Sequence, residues 1–529
     1  MTRTILLPLA ALVGLIAALA GPTAAAAGVE DGLSCLEAHD LPCAQAVLAK
    51  QKKRGDDSAA LAVLEGRVRF HEGAFEAAAA AFDRALVVNP DDARTARDRD
   101  LALATAEVAD ALIETTRGDI TVAHHPGADR VLVDGVIDSL TAARERIAPL
   151  LGGVTPVPLR IEIYPTGASF VVASGLPPEA VKTTGVIAIS KWHRLLITSP
   201  RALGRGYGWQ DTIVHEWIHL VVSWHTRDQA PVWLQEGIAK SLDTLWRLDD
   251  YAMPVRSQSA LAQAIRDDDF VTFEEMHPSM AFLPSADRTA LAYAQVATMT
   301  DFLRNGGDES PTEEPLVKVL ELVAEGVDAK EAVARVYNGG DFDGFEADWK
   351  AHLEGLDLVQ ERLASLPVVL DGEGDEYDND PSLAGREDLA GKARLGDLMV
   401  MREHFEAGLV YYEQAAPEGE PPGPVLTLHT AEALVALGRE REAENLLREN
   451  LAFYDESAAN HRLMAELLLK DGRKLNAQKH LLQSAAINPY DVAVHEALVT
   501  LYEEAGDDTG ASRHKGYLDI LNYRDTVAF

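Results

Sequence analysis

Apolar residues along the chain change period twice. Through residues 60–91 they recur at helical spacing in a small-residue setting, with Gly66, Gly73, Ala78, Phe82, Ala85 and Pro90 at regular positions. The same helical texture runs on through Asp91–Thr116. From Gly118 it gives way to short β-rich runs. ITVAHH (120–125) and LRIEIY (159–164) predict strands, with a long helix over Asp129–Leu151 between them. TGVIAIS (184–190) and RLLITS (194–199) predict an antiparallel pair turning at Lys191–His193, where His193 could reach the cleft but a surface turn is the commoner place for such a residue. GYGWQ (206–210) is expected to be a flexible approach to the next element. Helical periodicity returns over Asp211–Trp224, after Pro231, over Thr289–Leu303 and from Leu316 to Leu356, where Trp349 is a candidate core anchor.

Past an acidic, turn-rich stretch at 367–386, a repeat appears. Gly438, Gly472 and Gly506 are 34 residues apart; Ala443, Ala477 and Ala511 each follow five residues later. Ala431 and Ala465 each precede by seven, and Pro489 closes one unit. An earlier unit surrounds Gly396, Phe405, Tyr412 and Ala415. A fixed period of 34 is that of the tetratricopeptide helix pair, whose stacked units leave a concave groove suited to peptides or partner proteins. Residues 60–91 have the same character.

At 529 residues the chain is too long for one core and implies three or more domains. Its net charge of −36 argues against nucleic acid or an anionic membrane as partner. The N-terminus predicts export: Arg3, an apolar run Ile5–Ala20 and an A-x-A site at Ala24–Ala27, with cleavage after Ala27. That run is short for a stable transmembrane anchor. The mature protein would then be periplasmic or extracellular. There Cys35 and Cys43, which flank a predicted helical-hairpin turn, can form a disulfide; two buried thiols are the alternative.

Chemistry concentrates in DTIVHEWIHLVVSW (211–224). His215 and His219, four apart, leave one helix face about 40° from each other. Glu216 lies beside them. H-E-x-x-H is the pattern in which two imidazoles bind zinc and the Glu acts as general base on the water that the metal activates. Ile213, Val214, Trp217, Ile218, Leu220 and Val221 make the helix otherwise apolar, and buried ionisable groups need a partner or a metal. Catalytic zinc takes a third protein ligand. His225 stands six residues after His219, but Val222 replaces the Gly that would let it swing back. Glu236, in PVWLQEGIAKSLD, would return to the pair if two antiparallel helices met at a turn over His225–Ala230. Asp211 is either the helix cap or an acid orienting His215. Asp243, seven residues after Glu236 on the same face, is a further candidate to orient a His ligand.

HEWIH followed by WLQEGIA resembles the gluzincin zinc metallopeptidases, and within them the peptidase-MA-like group, over roughly Gly118–Leu356. The resemblance implies an α+β metallopeptidase domain with His215, His219 and Glu236 on Zn²⁺ and Glu216 as base. It implies that the strand preceding the active-site helix, Gly185–Ser190, binds substrate backbone at a sheet edge. It also implies a donor to the oxyanion from Tyr293, in AYAQV, where the group carries Y-A-Q-S and this chain has Val296. The aminopeptidase segment G-x-M-E-N is absent, so endo- and aminopeptidase action stay open. The expected order is a signal peptide (1–27), a tetratricopeptide-like segment (28–117), the gluzincin-like domain (118–366), an acidic linker (367–386) and all-α tetratricopeptide-like repeats (387–529). The expected function is an exported zinc peptidase acting on peptides or proteins, with an envelope protein partner in the repeat groove. The rival is a non-catalytic repeat scaffold carrying a relic zinc domain.

Overall fold

The computed structural model describes residues 28–178, 185–280, 283–305, 314–361, 363 and 375–522. The expected signal peptide and residues 367–374 of the acidic stretch lie outside them. The chain opens with helices α1 (Val29–Glu37), α2 (Leu41–Lys53), α3 (Ala59–His71), α4 (Phe75–Val88) and α5 (Ala93–Ala109). Cys35 near the end of α1 and Cys43 in the first turn of α2 form a disulfide across the turn. α3 and α4 form a hairpin in which Gly66 lies against the Phe82 ring; a Cβ there would stand 2.4 Å from it.

The texture change arrives earlier than expected. α5 stops at Ala109 rather than near Thr116, and IETTR forms strand β1 (Ile113–Arg117), because a β-branched run favours the extended state. β2 (Ile120–His124), β3 (Leu159–Tyr164), β4 (Ala188–Lys191) and β5 (Arg194–Thr198) complete a sheet of order β1-β2-β3-β5-β4. β2, β3 and β5 are parallel; β1 and β4 add antiparallel edges. The predicted helix 129–151 is instead α6 (Leu132–Arg146) between two short 3₁₀ turns, the second carrying Pro149 where a helix would lose a hydrogen bond.

Strand side chains alternate between two covered faces. Ile161, Ile163, Leu195 and Ile197 join the main core under α6 and the helices that follow. Glu162, Tyr164, Arg194 and Leu196 point the other way, toward the N-terminal helices and α7 (Gly167–Ser174). Glu162 and Arg194 are both fully buried there, 2.6 Å apart.

The main core continues through α8 (Trp209–Thr226), α9 (Val232–Leu242), α10 (Val255–Asp267), α11 (Phe273–Met276), α12 (Ala286–Asn305), α13 (Pro315–Ala324), α14 (Ala329–Tyr337) and α15 (Phe342–Glu354). Trp349 is buried and donates to Thr298 Oγ1 at 3.2 Å. Gly237 sits where α9 crosses α12: a Cβ would stand 2.7 Å from the Val296 carbonyl. The glycine after Glu236 therefore permits the approach that brings α12 to the site.

Four helix pairs follow: α16 (Glu387–Val400) with α17 (Phe405–Ala415), α18 (Pro424–Ala436) with α19 (Glu440–Phe453), α20 (Ala458–Lys470) with α21 (Lys474–Ile487), and α22 (Val492–Ala505) with α23 (Asp508–Asn522). Gly438, Gly472 and Gly506 occupy the turns of the last three, all at φ of 72–75°, where glycine is unstrained. Ala431, Ala443, Ala465 and Ala477 are fully buried between helices. Residues 375–386 do not behave as a loose linker. Tyr377 is buried and donates to Asp397, and Asp380 accepts from the backbone of Val425 and Leu426 at the start of α18.

The helical array docks on the sheet domain. Tyr490 donates to Asp129 at 2.8 Å and lies 2.8 Å from Ser199 Oγ. Ile487 O accepts from the Tyr207 amide at 3.2 Å, and Gly206 leaves that carbonyl no room for a Cβ. The GYGWQ approach is therefore packed rather than flexible: Tyr207 and Trp209 are buried, and Tyr207 donates to Thr198 O at 2.5 Å.

Candidate metal centre and its cleft

α8 runs unbroken from Trp209 to Thr226, and Arg227 and Asp228, both with positive φ, turn the chain so that α9 packs back on it. His215 and Glu216 are buried and His219 is nearly so. The two rings meet edge to face, 4.6 Å apart. Their Nε2 atoms are 3.1 Å apart, and Glu236 Oε2 lies 3.3 Å from that of His215 and 3.5 Å from that of His219. Ligand atoms on a tetrahedral zinc ion stand about 3.3 Å from one another, given bonds of about 2.0–2.2 Å. Glu236 Oε2 and His219 Nδ1 are buried without a hydrogen-bond partner. Three converging electron-pair donors of this kind fit a divalent cation with a fourth position open to the cleft.

The electrostatics point the same way. Burial and the nearby Lys240 disfavour charge on His215, yet Asp243 and Glu236 outweigh them and raise it to about 9. Burial would raise the Glu236 carboxyl; His219 and His215 instead hold it far below the usual range. The trio thus favours a positive charge at its centre. Asp243 Oδ2 accepts from His215 Nδ1–H at 3.2 Å, so that a cation taking the place of the second ring proton would be met by Nε2. Lys240 reaches the same oxygen at 3.3 Å, a contact the sequence did not suggest.

Glu216 projects into the cleft beside the trio, and no hydrogen bond among the described residues ties its carboxylate. Tyr293 lines the same cleft; burial, then the charges of Glu236 and Glu216, push its hydroxyl well above the ordinary range, so it stays protonated. The remaining expectations separate. His225 lies away from the trio with Nε2 2.9 Å from Val154 O. Asp211 neither caps α8, whose N-cap is Gly208, nor holds His215. Its carboxylate accepts from Trp246 Nε1 and the Arg247 guanidinium beyond α9. His193 is buried, not on a surface turn, and burial holds it near 4.

The cleft has a volume of about 990 Å³. It is lined by β4 with Trp192, by α8 and α9, and by a wall from α1, α3, α4 and α5, which the sequence had set apart as a separate segment. One further trio of potential ligands occurs among the described residues, Glu376–Asp397–His429. Tyr377, Tyr412 and His429 already satisfy Asp397, which makes it a hydrogen-bond network.

No helix among the described residues is long and apolar enough to cross a membrane. Among curated proteins none matches the chain. Residues 141–355 match the family model of the Peptidase MA superfamily, whose members are typically zinc-dependent. That stretch holds α8, α9 and Tyr293, and the match supports a peptidase-type enzyme of the gluzincin kind.

Proposed function

We propose that the chain is an exported zinc-dependent peptidase that hydrolyses peptide bonds, its helical repeats engaging substrate or an envelope partner. The convergence of His215, His219 and Glu236 beside an untied Glu216 carries this reading. His215 Nε2, His219 Nε2 and Glu236 Oε2 would hold the metal. Bound there, zinc supplies Lewis acidity that polarises a peptide carbonyl and acidifies water. Glu216 takes the proton of the attacking water and passes it to the departing amine. Tyr293 donates a hydrogen bond to the oxyanion as it forms. Asp243 fixes the His215 tautomer. The Cys35–Cys43 bond agrees with an oxidising compartment.

The test is Glu216→Gln in the full chain. Hydrolysis of a quenched fluorogenic peptide library should fall about 10²–10⁴-fold while zinc content stays unchanged. Full activity in Glu216→Gln would refute the mechanism. A zinc-loaded chain with intact Glu216 that cleaves nothing in the library would favour the scaffold reading.

A further inference from the structure

The cleft has a wall that the matched region, residues 141–355, does not contain. It is made by the N-terminal helices, and two contacts hold it in place. At one end Trp192 meets Phe70 edge to face at 4.9 Å. At the other, His39, on the disulfide-closed turn between α1 and α2, lies 3.7 Å from Asp228 in the α8–α9 turn. The N-terminal helices therefore reach from the sheet edge to the far end of the metal-binding helix.

The Trp192 side of the cleft is unusual in its backbone. Trp192 and His193 form a two-residue hairpin loop with φ of 54° and 59°. Turns of this kind favour Asn-Gly, since side-chain-bearing residues are strained at positive φ. Two bulky rings persist there because the surroundings hold them. His193 is buried, and Trp192 is packed by Phe70 and by the Lys191 ammonium 4.1 Å from its ring. These contacts keep an indole on the cleft lining, to which Leu33 and Leu36 of α1 also contribute.

Next to it runs an unpaired sheet edge. Lys191 and Arg194 close the hairpin, and Ile187 O accepts from the Thr198 amide at 2.8 Å. Ladder bonds to β5 thus fall at Ile187, Ile189 and Lys191, and the amides and carbonyls of Ala188 and Ser190 face the cleft. Among the described residues no backbone group pairs with them. A strand laid on this edge directs alternate side chains toward the N-terminal helices, where Leu33, Leu36 and Phe70 line the cleft among charged residues such as Arg67 and Asp98.

Resting on the peptidase reading, we propose that Leu33, Leu36, Phe70 and Trp192 form a side-chain subsite for a large apolar residue of an extended, unstructured polypeptide lying along β4. An edge of unpaired amides and carbonyls pairs with an extended backbone, which a folded protein surface seldom offers. The N-terminal helices are then part of the substrate site and set its preference.

Binding tests this without turnover. The full chain carrying Glu216→Gln is titrated into fluorescein-labelled decapeptides of serine, glutamine and alanine, with one phenylalanine walked through the positions. Fluorescence anisotropy should find a register that binds at least tenfold more tightly than the parent without phenylalanine. Trp192→Gly, a residue suited to the observed φ, should bring that ratio below about threefold in the same background. Leu33→Asp, on a half-exposed face of α1, should do the same and guards against a folding defect in the first variant. No phenylalanine preference, or one that survives both substitutions, would overturn the subsite. With Glu216 intact, a peptide bound in the preferred register but never cleaved would instead overturn the peptidase reading and leave the subsite standing.

Discussion

At the scale of single residues, function rests on which atoms lack partners. The Glu236 oxygen nearest both imidazoles has none, whereas Asp243 has two, His215 and Lys240. On the proposed reading Asp243 would act on a bound metal only through His215, by holding Nδ1–H and presenting Nε2. Asp243→Asn should weaken zinc affinity about 10–100-fold without removing a ligand, read by competition with a chromophoric chelator. Unchanged affinity would mean the contact is incidental. Much of this was legible in the chain. His215, Glu216 and His219 lie within one helical turn, so their arrangement is set by the 3.6 period alone. Glu236 needed the turn at Arg227–Asp228, and Pro231 with the following apolar run indicated it. Asp211 was misread because the cap position moved to Gly208, and its partners, Trp246 and Arg247, lie on a segment that only tertiary packing brings near.

At the scale of elements, the sheet's second face was hidden from the sequence. LRIEIY and RLLITS read as strands, but nothing local says that Glu162 and Arg194 are buried together. That follows from α3 and α4 covering them, with Phe70 and Phe75 against the Arg194 guanidinium at 4.7 and 4.8 Å. Glu162 also accepts from Arg160 Nε at 2.7 Å and from the Tyr164 hydroxyl at 2.9 Å. Burial pushes the Glu162 carboxyl up, and Arg194 and Arg160 outweigh it, so it is held below its ordinary value. A carboxyl depressed in the fold contributes stability that is complete above its unfolded value, about 4.3, and is lost as pH falls through the lower folded one. Acid should therefore loosen the N-terminal helices from the sheet. Glu162→Gln leaves Arg194 buried and unpaired and should cost about 3–5 kcal/mol at pH 7, with a shallower loss of stability below pH 4. Urea unfolding at pH 7 and at pH 3.5 measures both. Equal losses for wild type and variant would contradict the assignment.

At the scale of the molecule, segments that differ in texture share one cleft. The N-terminal helices were legible as helices, since their alanine-rich periodicity is local. That they wall the cleft was not, because it depends on the side of the sheet on which they dock. The C-terminal pairs were legible from a 34-residue period and glycines at their turns. Their docking through Ile487 onto Tyr207, just before α8, and through Tyr490 onto Asp129, just before α6, was not. The region matching a peptidase family is therefore held from both flanks, and the whole chain is the unit to measure.

The central claim is that His215, His219 and Glu236 make one zinc site. Elemental mass spectrometry of the full chain tests it most directly, alongside Glu236→Ala and His225→Ala. Close to one zinc per chain is expected, lost in Glu236→Ala and retained in His225→Ala. A chain that takes up no zinc after incubation with the metal, or one that loses zinc with His225 and keeps it without Glu236, would contradict it.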